Sequence, residues 1–226
     1  MCGRFTLTDP DPRILRTRFS LDESAPIDEQ PRFNIAPTDP VLAIRERSDG
    51  GGREPGRLRW GLMPGRWAEG HRSLINARAE TVDTQSAFRE SFRERRCLIP
   101  ADGFYEWRSD ENGKQPVWIS RADGGLFAFA GLWAEAPGRN GKPVTSCAIV
   151  TCEPNDVLRP IHDRMPVILD PETEAAWLSD SAETEELQRV LQPIAGDALA
   201  VREVADTVND VRSDGPELLA SPLRLF

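Results

Sequence analysis

Lysine is nearly absent from this chain of 226 residues, histidine occurs twice and tyrosine once. No apolar run approaches the ~20 residues of a membrane helix, so no membrane span is expected. Two histidines, His71 and His162, are too few to build a metal site with scattered cysteines, and neither a metal nor a cofactor is expected. Four cysteines (Cys2, Cys97, Cys147 and Cys152) do not make a disulfide scaffold in a chain this long. Cys147 and Cys152 flank the apolar Ala148-Ile149-Val150-Thr151 and read as buried structural thiols. A cationic start followed by an apolar segment and a small-residue cleavage site is also missing, which makes the cytoplasm the expected compartment.

Positive charge is in short supply as well. The net charge is −9 and the pI about 4.9, with near balance over residues 1–108 and a strong acidic excess over residues 109–226. That excludes a protein that coats nucleic acid through a broad basic surface. An anionic partner must be held by a local arginine cluster drawn from the first half. The two lysines, Lys114 and Lys142, each follow an Asn-Gly pair of the hairpin-turn type and are expected at exposed tips.

What is present begins with Cys2, directly behind Met1. Removal of Met1 would leave one residue with two nucleophiles, an α-amine of pKa ~7.7–8.0 and a thiol of ~8.5, against ~10.4 for lysine. An amine beside a thiol invites chemistry with aldehydes; the alternative is that position 2 is incidental. With lysine scarce, the Cys2 amine is the best candidate for an amine nucleophile.

Apolar alternation predicts strands over residues 4–7, 41–45, 58–62, 97–99, 104–108, 117–120, 126–133, 146–151 and 200–204. The pair 117–120 and 126–133 reads as a hairpin. Asp9-Pro10 is expected to cap an amphipathic helix carrying Ile14, Leu15, Arg18 and Phe19. Further helices are expected over 84–94, 171–178 and 182–191. Residues 31–38, punctuated by prolines, read as a shaped loop, and 48–56 as a polar turn or flexible tip. The pattern predicts an α+β fold, one domain over residues 1–226 with a strand-rich, barrel-like core and peripheral helices.

Three stretches carry polar groups suited to chemistry. Asn76, Arg78 and Glu80 alternate, so in extended chain they share a face, which is either a binding surface or simply solvated. Glu106 lies in the aromatic run Gly103-Phe104-Tyr105-Glu106-Trp107, where desolvation would raise its pKa toward that of a general acid or base; pairing with an arginine on an edge strand is the alternative. His162 sits in the proline-bounded loop Pro160–Pro166, either presented for catalysis or capping a turn. His71 reads as surface. The run Arg89–Arg96 alternates with acids and reads as a solvated helix face.

Taken together, Cys2-Gly3-Arg4-Phe5, Phe33-Asn34-Ile35-Ala36-Pro37, Trp60-Gly61-Leu62 with Pro64, Asn76-Ala77-Arg78-Ala79-Glu80, Gly103-Phe104-Tyr105-Glu106-Trp107 and Ile161-His162-Asp163-Arg164-Met165-Pro166 resemble the SRAP family. This is the SOS-response-associated peptidase or abasic-site-processing family. The resemblance spans Cys2 to about Pro216 and implies capture of abasic sites in single-stranded DNA as a thiazolidine on Cys2. By the same resemblance Glu106 transfers protons, His162 assists sugar opening or reversal, and Asn76 orients the sugar. Arg4, Arg78 and Arg164 become phosphate clamps, Arg4 also favouring the Cys2 thiolate. Asn34 and Pro37 belong to the loop near the cysteine, and Trp67 stacks on or wedges beside a base. AP-lyase activity is a further implication, and the protein is expected to act as a monomer that joins the nucleoid when engaged with DNA. Ser213 departs from the pattern, where asparagine is expected.

Two other classes compete with this reading. A cysteine peptidase, with His162 as base, would remove the chain's own Met1 or cleave peptides. A non-catalytic single-strand-binding module would need only the arginines and Trp67, but the net charge of −9 disfavours it.

Overall fold

The computed structural model describes residues 2–47, 49–64, 73–111, 113–138 and 142–222. Along the chain run β1 (Phe5–Leu7), α1 (Pro12–Phe19), β2 (Arg32–Ile35), β3 (Pro40–Glu46), β4 (Arg53–Trp60) and β5 (Asn76–Arg78). There follow α2 (Arg89–Glu94), β6 (Arg96–Ala101), β7 (Gly103–Asp110), β8 (Gly113–Arg121), β9 (Phe127–Pro137) and β10 (Pro143–Cys152). The chain ends with β11 (Met165–Pro166), β12 (Ile168–Leu169), α3 (Pro171–Leu178), α4 (Thr184–Val190), β13 (Leu199–Glu203) and short 3-10 turns. No helix among the described residues is long and apolar enough to cross a membrane.

One sheet has the order β13-β8-β7-β1-β2. In the other, β4, β3, β6, β9 and β10 form a ring, because β10 pairs in parallel with β4 and antiparallel with β9. This is the strand-rich, barrel-like core of an α+β fold. β5 and β11 add to β10, and β12 to β9. Closure leaves the ring's inner face to large apolar side chains, and β1 from the first sheet plugs into them. Phe5 meets Trp60 edge-on at 5.2 Å and Phe129 at 5.6 Å between ring centroids. Such edge-to-face pairs add ~0.5–1.5 kcal/mol beyond the area they bury. The N-terminal strand is thereby paired between β7 and β2 of its own sheet and locked against the ring.

Gly61, which follows β4, has φ +125°, and a Cβ there would lie 2.8 Å from Ser73 Oγ, so the turn out of the ring requires glycine. The C-terminal segment seals the back of the first sheet through a small cluster of Tyr105, Val204, Val208 and Leu218.

Several expectations are corrected. The segments 117–120 and 126–133 are not a hairpin: β8 pairs with β7 and β13, whereas β9 joins the ring. Period-two alternation names a strand without naming its partner. Asp11, not Asp9, caps α1, accepting from Arg13 N at 2.8 Å with Pro12 at the first turn. Residues 53–56 are not loop but the start of β4, and the helix expected over 84–94 forms only from Arg89. Arg96 is not on a solvated face. Its buried guanidinium donates to the carbonyls of Trp177 (2.7 Å), Phe92 (2.9 Å), Ser179 (2.8 Å) and Arg93, tying α2 to α3.

Candidate active site

β1 delivers Cys2 to the site. Phe5 pairs with Phe104 and Tyr105 N donates to the Arg4 carbonyl at 3.0 Å, so extending this register sets Gly3 and Cys2 beside Glu106 on β7. Glu106 is 2% exposed, and burial pushes its carboxyl up to about 7. Cys2 is fully buried, and its thiol is raised well above the ordinary range by desolvation and then by the charge of Glu106. The expected electrostatic help from Arg4 is not what the thiol meets: Sγ points at the Arg4 carbonyl, 4.0 Å away. A thiol in this setting reacts only when a neighbouring base removes its proton.

β5, laid parallel against β10 with Asn76 opposite Ile149, brings the third group. Asn76 Nδ2 donates to the Cys2 carbonyl at 2.9 Å. Its Oδ1 is buried and has no hydrogen-bond partner among the described residues. One end of the amide fixes Cys2, and the other remains an acceptor.

His162 stands on the adjoining loop between β10 and β11, where its backbone N–H bonds to the Leu158 carbonyl at 2.9 Å. Its Nδ1 lies 3.0 Å from Arg164 N and 2.8 Å from Asp163 Oδ1, and can serve only one of them at a time. Burial lowers the pKa of the ring, which favours the neutral form with Nδ1 accepting from Arg164 N and the proton on Nε2. After burial, the charge of Asp163 also raises the Glu106 carboxyl, so this loop borders the same site.

The remaining expected site residues divide by exposure. Arg78 is exposed on β5. Arg164 donates to both oxygens of Glu80 (2.7 and 2.9 Å) and to the Thr151 carbonyl (2.5 Å). Glu80 lies past the end of β5 in a turn, so the shared strand face expected for Asn76, Arg78 and Glu80 stops at Arg78. Arg4 faces inward: its Nη1 donates to Asn34 Oδ1 (2.8 Å) and the Val208 carbonyl (2.9 Å). Asn34 is fully buried, and its Nδ2 reaches the carbonyls of Val208 (3.2 Å), Asp210 (3.1 Å) and Ser213 (2.8 Å). The contact at Ser213 uses its backbone, so serine in place of the expected asparagine costs that bond nothing. Pro37 is the second residue of a turn closed by Asp39 N to the Ala36 carbonyl (3.1 Å), with Thr38 at φ 82° in a position that usually goes to glycine. Trp67 and His71 lie outside the described residues.

Two supporting groups were not signalled by motif. Asp214 accepts from the backbone N–H of Phe33 (2.5 Å) and Asn34 (2.7 Å), latching the C-terminal segment to β2. Asp102 accepts from Thr6 Oγ1 (2.5 Å) and Thr8 N (2.6 Å), fixing β1. Asp102 is the single residue between β6 and β7, and nothing in its neighbours names these partners. A cleft of about 860 Å³ is lined by Glu80 and Cys152 but by neither Cys2 nor Glu106. Glu80, Glu153, Asp156 and Asp197 line it with Arg159, so its lining is acidic and does not suit an anion.

Fold and site define a class of protein in which a cysteine near the start of the chain is threaded between two sheets and set against a buried carboxyl. The chain belongs to the SOS response associated peptidase (SRAP) family, whose profile matches residues 1–211. It is 41% identical over 227 residues to the abasic site processing protein YoqW of Bacillus subtilis (strain 168), covering 98% of this chain and 100% of that protein. The abasic site processing protein YedK of Escherichia coli (strain K12) is 30% identical over 224 residues, covering 97% and 99%. HMCES of Xenopus tropicalis, of the same description, is 30% identical over 224 residues, covering 85% of this chain and 66% of that protein. A crystal structure of a protein from Bacteroides thetaiotaomicron shares the fold, with TM-score 0.85 at 22% identity and coverage of 98% and 100%.

Proposed function

We propose that this chain processes abasic sites in single-stranded DNA by capturing them covalently through Cys2, shielding the lesion. The observation that carries the reading is the convergence of a buried Cys2, a Glu106 carboxyl raised to about 7 and an Asn76 amide on the Cys2 carbonyl. The names of the relatives, abasic site processing proteins at up to 42% identity, support the same substrate.

Removal of Met1 supplies the free α-amine. The amine adds to the aldehyde carbon of the ring-opened sugar, and Glu106 protonates the hydroxyl that leaves as water, giving an imine. The Glu106 carboxylate then takes the thiol proton, Sγ attacks the imine carbon, and the nitrogen gains a proton. Five atoms close the ring: nitrogen, Cα, Cβ, Sγ and the sugar carbon. Aldehyde and aminothiol give thiazolidine and one water, with no oxidant or metal. A carboxyl that titrates near 7 suits both halves, since it must donate in the first and accept in the second. Asn76 Oδ1 accepts from a sugar hydroxyl, Nε2 of His162 donates during sugar opening, and Arg78 and Arg164 face the phosphates.

The test is incubation of the mature protein with a single-stranded oligonucleotide bearing one abasic site, followed by a denaturing gel and intact mass. The expected adduct weighs the protein lacking Met1 plus the oligonucleotide less one water. It is lost in Cys2→Ser and absent with intact DNA. Retention of Met1 by active protein, or a stable adduct with Cys2→Ser, overturns the reading.

A further inference from the structure

Arg164 is already engaged. Its guanidinium is held in a two-point fork by the Glu80 carboxylate at 2.7 and 2.9 Å. The arginine side chain is 11% exposed, whereas Glu80 is 46% exposed and can swing into solvent. The Thr151 carbonyl takes a further donor of Arg164 and also accepts from Ala79 N at 2.9 Å, so the arginine keeps its place when the carboxylate leaves. Its Nε is buried without a hydrogen-bond partner among the described residues. Burial raises the Glu80 carboxyl, but the hydrogen bonds from Arg164, with the charge of Arg78 behind them, leave it below its ordinary value and firmly ionised. A planar carboxylate on a guanidinium fork occupies the position that two oxygens of a phosphate would take.

We propose that Glu80 is an internal competitor for backbone phosphate, a specificity-determining residue that keeps Arg164 closed to intact single strands. A DNA phosphate reaches the fork only by displacing the Glu80 carboxylate. Intact DNA must meet that cost from contacts alone, whereas an abasic strand recovers it when the covalent bond forms. The acidic cleft beyond Glu80 gives the displaced carboxylate a solvated place to go, though not an attractive one, which keeps the closed pair favoured. This rests on the reading that Arg164 faces DNA at the site of Cys2.

The test compares Glu80→Gln with Glu153→Gln, an exposed acid facing the same cleft, by fluorescence anisotropy on an intact single-stranded oligonucleotide. Both variants lose one negative charge, but only the first releases the fork. Glu80→Gln is expected to tighten binding by about fivefold or more relative to wild type and to steepen the salt dependence of log Kd by about one. Glu153→Gln is expected to change affinity by less than about twofold. Glu80→Asp, which keeps the charge but withdraws it by one methylene, should fall between wild type and Glu80→Gln. Equal gains in the two glutamine variants overturn the proposal, because simple charge removal then suffices. A lower Tm for Glu80→Gln without tighter binding, measured well below that Tm, also overturns it and makes the pair a structural tie. Wild-type capture of the abasic oligonucleotide is scored separately, so failure of the covalent reading is distinguishable from failure here.

Discussion

Ionising Glu106 inside the fold means stripping water from a carboxylate, which is why its pKa rises to about 7 from the ordinary 4.5. The folded state then binds this proton more tightly than the unfolded chain does. Its contribution to stability is fully present below about 4.5 and is lost as the pH rises through about 7. A group needed for proton transfer is thus a liability for folding at neutral pH. Glu106→Gln is expected to slow covalent capture by about 100-fold or more. The same variant should have a higher Tm than wild type at pH 8, with the difference vanishing toward pH 4.5. Thermal melts across that range, run beside gel-based capture rates, check both signs. A variant that loses activity and stability together at pH 8 would show that Glu106 serves the fold instead.

At the scale of elements, the site depends on how β1 is held. Three attachments fix it: Phe5 in the ring, Asp102 on Thr6 and Thr8, and Arg4 on Asn34 and Val208. Asn34 is the hub between β1, β2 and the segment at residues 208–214, and all of its side-chain partners are within the chain. Asn34→Ala removes one of the partners of the Val208 and Asp210 carbonyls and of the partly buried Arg4, and takes the Asn34 donor from the Ser213 carbonyl. It is expected to destabilise by about 2–4 kcal/mol, more than a surface polar residue would. Chemical denaturation should show the loss, and limited proteolysis should cut first near residues 208–214. A stability change below about 0.5 kcal/mol would show that Val208 and Leu218 packing and the Asp214 latch suffice to hold the segment.

For the whole molecule, charge decides how DNA is met. The net charge is −9, Arg4 is engaged inside, Arg164 is closed by Glu80, and Arg78 is exposed on β5. Affinity for intact single strands should therefore rest on very few phosphates, about one or two, and fall by less than about tenfold between ~50 and ~200 mM salt. Anisotropy titrations across that range test it; a slope typical of six or more contacts would require a basic surface elsewhere.

Residue chemistry and local pattern were legible in the linear chain. Scarce lysine, Cys2 behind Met1, and a lone acid among aromatics at 104–107 follow from composition and neighbours, and so do most strands, since alternation and turn residues act over a few positions. α3 was legible to the residue, because Asp170, Pro171 and Thr173 are a local capping signal. What only the tertiary structure decided is who meets whom. Ring closure puts β10 against β4, β5 and β9 at once, and that sets Asn76 on Cys2. Arg96 reads as surface from its charged neighbours, yet helix ends distant in sequence supply it with carbonyls and bury it. Arg4 and Arg164 read alike as phosphate clamps, yet one is built into the fold and the other is closed by a carboxylate 84 residues away in the chain. The physical reason is the range of the forces: propensity and capping act within a turn or two, while burial, pairing and the pKa values they set exist only once the chain has closed on itself.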